Sequence, residues 1–352
     1  MVDANFDFSR ERGLKYIRWD DLRAKVGIAC PAEPIPGWVT RDEAFASQLV
    51  QTYTSGGKNM PKNPDPRETG PKPPFPDQSQ SPPGTVKRLD PPADHGENSY
   101  VGTGKLLGQV AIVTGADSGI GRAVAIAFAK EGADLVLSYL PEEESDALEV
   151  SAVIHEAGQK ALRLPGDIGS LEYAKSLVAA AIKEFGHVDI LINNAGFQMT
   201  HDSIDEIPPE EFEHTFRTNV FGTFFLTQAA LPKMESGGSI INTSSIQAFE
   251  PGEQLVAYAA TKAAIANMTK SLAKLAGKQG VRVNAVAPGP VWTPLIPSTM
   301  PSEKVKSFGE NTIFKRPAQP IETARIFVFL ASAEASYVSG EIYGATGGRT
   351  PL

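Results

Sequence analysis

The chain has 352 residues, enough for one large domain or two ordinary ones, and its 41% hydrophobic and 21% charged content is that of a globular protein. A formal net charge of -8 argues against nucleic acid as the main partner, because phosphate binding relies on a basic surface. The single cysteine, Cys30, makes neither an internal disulfide nor a zinc cluster, the charged start lacks a secretory apolar core, and no apolar run nears the roughly 20 residues of a membrane span, so a cytoplasmic protein without a membrane partner is expected.

Residues 1–60 read as an N-terminal appendage, either flexible or a small docking element. Thr40 and Glu43 have capping-box spacing, so a short helix is expected over 42–53, with another over 15–26. Composition then shifts. Eleven prolines fall between Pro61 and Pro92, and Phe75, Val86 and Leu89 are almost the only apolar side chains there. Proline removes backbone donors and fixes φ, and so few apolar groups have little to bury. Residues 61–101 are therefore expected to be a proline-rich linker, extended or disordered. A ligand for another domain is the alternative.

From residue 102 to 352 the pattern is that of a single α/β domain. Strands are expected over 110–114, 135–139, 160–164, 189–192, 239–243 and 281–287, each nearly continuous in apolar character, as in strands buried on both faces. Helical patterns, such as 121–131 and 173–184, lie between them. Repeated βα alternation with right-handed crossovers predicts a doubly wound, Rossmann-type parallel sheet, whose ligands bind beyond the carboxyl ends of the strands.

The first strand runs into Thr114-Gly115-Ala116-Asp117-Ser118-Gly119-Ile120-Gly121. Glycines let a backbone approach a pyrophosphate closely, and the helix that follows points free N–H groups at the anion. The spacing is G-x-x-x-G-x-G, not the general G-x-G-x-x-G. Gly115, Ser118, Gly119, Ile120 and Gly121 are thus candidate cofactor contacts. Asp167 and Ile168 follow the third strand, where a carboxylate suits the adenine amino group. Asn194, Ala195 and Gly196 follow the fourth and leave room for ribose, while Asn193 reads as a structural tie between strands. Pro288, Gly289, Val291 and Thr293 follow the sixth and reach the nicotinamide side.

The second strand ends Ser138-Tyr139-Leu140, with no carboxylate at its tip. An NAD-selective site normally has one there. Ser138 and Tyr139 are candidate donors to a 2′-phosphate, and Arg122 starts the neighbouring helix. Glu142, Glu143 and Glu144 are expected to turn outward, as the first turn of the next helix. The balance tilts toward NADP, with NAD used as well.

Tyr258 and Lys262 stand four apart, so one helix face carries both. An ammonium beside a phenol is expected to lower its pKa and let it exchange a proton with an alcohol or carbonyl oxygen during hydride transfer. Ser245, at the end of the fifth strand, is placed to hold the substrate oxygen. Asn219, in the preceding helix, is placed to anchor a water leading to Lys262. Gln198, Met199, Gln247, Phe249, Leu255 and Trp292 are candidate pocket walls. Their mixed character fits small aldehydes, sugars or polyols alike.

With these motifs in order, residues 102–348 resemble the short-chain dehydrogenase/reductase family. TGADSGIG, NNAG, the serine ahead of Y-x-x-x-K and PGPVWTP carry the resemblance. Pro73-Pro74-Phe75-Pro76, Asp94-His95-Gly96 and the run Pro290-Val291-Trp292-Thr293-Pro294-Leu295-Ile296-Pro297 resemble the glucose/ribitol dehydrogenase-like stress proteins and the NADP-dependent aldehyde reductases. The resemblance implies a catalytic tetrad of Asn219, Ser245, Tyr258 and Lys262. It also implies a homotetramer built through 212–230 and 255–275, with 347–352 reaching a neighbour. A nucleotide-binding regulatory or stress-protective protein without turnover is the alternative, but such relatives usually lose the tyrosine or lysine, and here both stand.

Overall fold

A computed structural model describes residues 64–349, so Cys30 and the helices expected over 15–26 and 42–53 lie outside the described residues. The described chain from Pro66 onward belongs to one compact unit. Its frame is β1 (Val110–Thr114), α1 (Gly119–Lys130), β2 (Asp134–Tyr139), α2 (Glu144–Glu156), β3 (Ala161–Pro165), α3 (Leu171–Phe185) and β4 (Ile190–Asn193). Then follow α4 (Pro209–Phe216), α5 (Gly222–Ala230), β5 (Ser239–Thr243), α6 (Val256–Ala276), β6 (Arg282–Pro288), α7 (Leu295–Thr299), α8 (Ser302–Lys306), α9 (Pro320–Ala331) and β7 (Ile342–Ala345).

The seven strands pair in parallel in the order β3-β2-β1-β4-β5-β6-β7. This is the expected doubly wound sheet. The order reverses between β1 and β4, and the crevice outside that reversal is where such folds bind ligands. All of β1 is buried, whereas β3 is half-exposed, because it is an edge strand and not one covered on both faces as expected. β7 at the other edge was not anticipated: Ile-Tyr-Gly-Ala is short and weakly apolar, and its pairing with β6 defines it.

On one face α1 packs against α9, with Phe128 and Phe327 fully buried. The alanine-rich sequence of α1 allows that close approach on nearly every side. On the other face Leu177 of α3 and Leu226 of α5 meet Ile240 of the sheet. Ser170 caps α3 by accepting from Tyr173 N at 3.2 Å, and Gly186 ends the helix at φ 89°. Among the described residues, no helix is long and apolar enough to cross a membrane.

The linker expected over 61–101 is corrected by the structure wherever it is described. Phe75 stacks on Trp292 with ring centroids 4.1 Å apart, and with Leu89, Ile296 and Val305 these rings form a third core cluster. Trp292 Nε1 donates to Pro91 O at 2.8 Å, and Phe75 N donates to Lys306 O at 2.9 Å. Further along, Asp94 N donates to Gln319 Oε1 at 2.8 Å. The start of the segment is held by Arg316, which donates from Nε to Pro66 O at 2.7 Å and pairs with Glu322. A proline-rich strap with two buried apolar anchors needs no core of its own when the domain supplies the other half.

Candidate active site

A cleft of about 1070 Å3 opens at the carboxyl ends of the strands, large enough for a dinucleotide and a small molecule. Its floor is the glycine turn between β1 and α1. Gly115 and Gly119 have φ of 59° and 51°, and a Cβ on Gly121 would lie 1.8 Å from Gly115 O. Only glycine closes the turn this tightly. Ser118 caps α1 without using its side chain, which leaves the first-turn N–H groups to a ligand. Turn, helix end and cleft volume together fit a pyrophosphate-bearing cofactor.

Most of the predicted contacts line this cleft: Gly115, Ser118, Gly119, Ile120, Tyr139, Asp167, Ile168, Asn194, Ala195, Gly196, Pro288, Gly289, Val291 and Thr293. Gly121 does not line it and serves the packing of the turn instead. Asn194 also ties strand ends together, donating from Nδ2 to Thr114 O at 3.0 Å. Asn193 is the structural tie that was expected, with Nδ2 donating to Asn242 Oδ1 at 2.9 Å.

The same cleft is lined by Ser245, Tyr258 and Lys262. Tyr258 and Lys262 project from the first turns of α6, with Lys262 Nζ 5.4 Å from the Tyr258 ring centroid. Lys262 is buried and donates to Thr243 O at 2.8 Å, so the end of β5 positions it. Ser245 caps a short turn after β5, its Oγ accepting from Gln247 N at 3.1 Å. Burial pushes the Tyr258 hydroxyl up to about 12, with Ser245 pulling the other way, and burial pushes Lys262 down to about 8. The expectation that the ammonium lowers the phenol is therefore corrected for the chain alone. Desolvation disfavours the charged form of both groups.

Asn219 does not reach the cleft wall. It lies in a single π turn, Arg217–Phe221, between α4 and α5. Its Nδ2 donates to Phe197 O at 2.9 Å and Thr261 Oγ1 at 3.0 Å, while its Oδ1 accepts from Phe197 N at 2.8 Å. Those bonds hold the strand-end loop against α6, one residue before Lys262. Of the candidate substrate walls, Gln198, Gln247 and Leu255 line the cleft, whereas Met199, Phe249 and Trp292 do not. Trp292 faces the strap instead.

The tip of β2 departs most from expectation. Ser138 is fully buried and its Oγ bonds with Tyr173 Oη at 2.9 Å. Tyr139 Oη donates to Glu144 Oε2 at 2.5 Å, and Arg122 pairs with Glu97 and Glu149. All three expected phosphate donors are thus engaged elsewhere. Glu143 does not turn outward as expected. It lines the cleft and accepts from Leu140 N at 2.9 Å. Burial first, and then the Asp117 carboxylate, push it up to about 8.

Asp117 was not singled out from the sequence, although it stands inside the glycine turn. It is fully buried and lines the cleft, and burial raises its pKa. Pro82, Pro83 and Gly84 of the strap also line the cleft, and nothing local in their sequence announces it.

A doubly wound sheet with a glycine turn at its strand-order reversal, and Ser245, Tyr258 and Lys262 in the same cleft, is the arrangement of a dinucleotide-binding fold. Comparison with known proteins makes the class specific. Residues 115–350 match the family model described as enoyl-(acyl carrier protein) reductase. Glucose and ribitol dehydrogenase of Daucus carota is 42% identical over 78% of this chain and 96% of its own. NADPH-dependent aldehyde reductase 1, chloroplastic, of Arabidopsis thaliana is 42% identical over 76% of this chain and 94% of its own. A short-chain dehydrogenase from Burkholderia cenocepacia, solved in complex with NADP, superposes with a TM-score of 0.66 at 29% identity, covering 69% of this chain and 98% of that one. The chain belongs to the short-chain dehydrogenase/reductase family and is an oxidoreductase.

Proposed function

We propose that the chain uses NADP(H), and NAD(H) less well, to interconvert a small alcohol or polyol with its aldehyde or sugar carbonyl. The observation that carries this reading is that Ser245, Tyr258 and Lys262 line the same cleft as the glycine turn. A bound nicotinamide supplies the hydride donor or acceptor. Tyr258 exchanges the proton with the substrate oxygen, and Ser245 holds that oxygen beside it. Lys262, fixed by Thr243 O, sets the charge near the phenol. Asn219 is a positioning residue, acting through the Phe197 backbone and Thr261. A hydroxyl raised to about 12 is protonated at neutral pH, so it is poised to give a proton to a carbonyl oxygen.

The preference for NADP is supported by the NADP complex of the Burkholderia relative and by Ser138 and Tyr139, not an acidic residue, ending β2 itself. An intact Tyr258–Lys262 pair favours turnover over a silent regulatory relative. Tyr258→Phe keeps the ring and removes the hydroxyl. It is expected to cut turnover by roughly 10²- to 10⁴-fold with dinucleotide affinity close to normal. The check is steady-state kinetics on a panel of aldehydes and polyols with both cofactors. Wild-type rates in that variant overturn the reading.

The homotetramer belongs to the same proposal. Phe212, Phe221 and Phe224 of the stretch from α4 to α5 and Val256 of α6 are exposed apolar side chains on the helices expected to associate. Light scattering on the full chain checks it, and a monomer would remove it.

A further inference from the structure

The strap crosses the dinucleotide cleft. Its residues Pro82, Pro83 and Gly84 line the cleft, and the chain on either side of them is tied to the segment after β6 and to the helix after β2. On one side Gln80 N donates to Pro297 O at 2.9 Å. Gly84 lies so close to the same wall that a Cβ there would sit 2.5 Å from Pro294 O. On the other side Val86 N donates to Asp146 Oδ2 at 2.9 Å, and Asp146 is a buried residue of α2, the helix that follows the cleft-lining Leu140 and Glu143. Thr85 N donates to Gln80 Oε1 at 2.8 Å, which stiffens the crossing itself.

The two walls joined in this way flank the glycine turn. Thr293, next to Pro294, packs over Gly119: a Cβ on Gly119 would lie 3.0 Å from Thr293 Cγ2. Leu140 and Glu143, between β2 and α2, line the cleft from the other side. The crossing is anchored at both ends by the Phe75–Trp292 stack and the bond from Trp292 Nε1 to Pro91 O.

We propose that residues 82–86 form a fixed roof over the phosphate portion of the dinucleotide cleft and set the rate at which the dinucleotide enters and leaves. This rests on the cofactor reading above. A chain pinned to both walls cannot move aside without breaking the Val86–Asp146 bond or sliding past Pro294. Release of the dinucleotide therefore requires an opening step that belongs to the strap and not to the chemistry at Tyr258.

Val86→Pro tests this with little disturbance. Val86 is the first residue of a short 3-10 turn, and Thr85 before it is extended at φ −110° and ψ 145°, both of which proline accepts. The substitution deletes the N–H bonded to Asp146 and keeps the rest of the crossing. NADPH dissociation from the full chain is read by stopped-flow displacement, following nicotinamide fluorescence. The rate is expected to rise by at least about tenfold, the factor given by losing one hydrogen bond to a charged acceptor. In the wild-type chain, amide hydrogen exchange over residues 80–90 is expected to slow when NADPH is bound. An unchanged dissociation rate in Val86→Pro, or exchange over 80–90 indifferent to NADPH, overturns the roof. If the wild-type chain binds neither NADPH nor NADH, the cofactor reading itself fails, and that result is distinct from binding with unaltered release.

Discussion

Two stretches rich in glycine or proline border the same cleft, and they differ in how their shape is specified. The turn from Gly115 to Gly121 is local: positive φ at Gly115 and Gly119 and the contact of Gly121 with Gly115 O hold it between a strand and the helix it starts. The strap over 66–101 has no such local logic. Phe75 and Leu89 become core only because Trp292, which bonds to Pro91 across 201 positions of sequence, brings the other half of their cluster. A composition too poor in apolar residues to fold alone is still ordered when the domain lends it a surface. The usual inference from composition to disorder considers the segment by itself, and here that was the error.

Breaking the turn should have the largest effect. Gly121→Ala places a Cβ 1.8 Å from Gly115 O, and neither backbone has room to yield. Overpacking of this kind costs about 3 kcal/mol, and because the strain falls on the proposed phosphate site, dinucleotide affinity should drop roughly a hundredfold. Fluorescence titration with NADPH is the measurement. An affinity like that of the wild type would mean that the turn is not the phosphate site.

Loosening the strap should act more on stability than on binding. Phe75→Ala removes a ring that is 4% exposed and stacked on Trp292, at a cost of about 3 kcal/mol. Thermal unfolding should move down by several degrees, while NADPH affinity falls less than tenfold. A melting temperature unchanged from the wild type would restore the linker reading. Removal of residues 1–93 deletes both buried anchors, Phe75 and Leu89, so a shortened chain is not expected to behave as the intact domain does.

The smallest effect concerns Glu143, on the wall that the strap joins to Pro294. Its carboxyl is raised to about 8 by burial and by Asp117, so it is neutral at pH 7 and ionises as pH rises through 8. A 2′-phosphate near the β2 tip then meets a new like charge. The kcat/KM ratio of NADP(H) over NAD(H) should fall roughly threefold to tenfold between pH 7 and 9. Glu143→Gln keeps the neutral form at every pH and should flatten that profile. A wild-type ratio independent of pH would place Glu143 away from the 2′ position.

The sequence alone determined the doubly wound class of the sheet and placed the candidate site residues at its strand ends. Buried strands of Val, Ile and Leu alternating with helical patterns allow few topologies, and the glycine turn, NNAG, Ser245 and the Tyr258–Lys262 pair are short-range patterns whose meaning depends on residues within a turn or two. Tertiary structure decided what depends on partners distant in the chain. It pairs β7 with β6 at an edge where four weak residues give no periodic signal. It engages Ser138, Tyr139 and Arg122 with Tyr173, Glu144, Glu97 and Glu149, leaving Glu143 to face the cleft. It sets Tyr258 and Lys262 together in the cleft, where desolvation raises the phenol and lowers the ammonium. It also carries the strap across the cleft, because the burial of Phe75 depends on Trp292, and no window of sequence contains both.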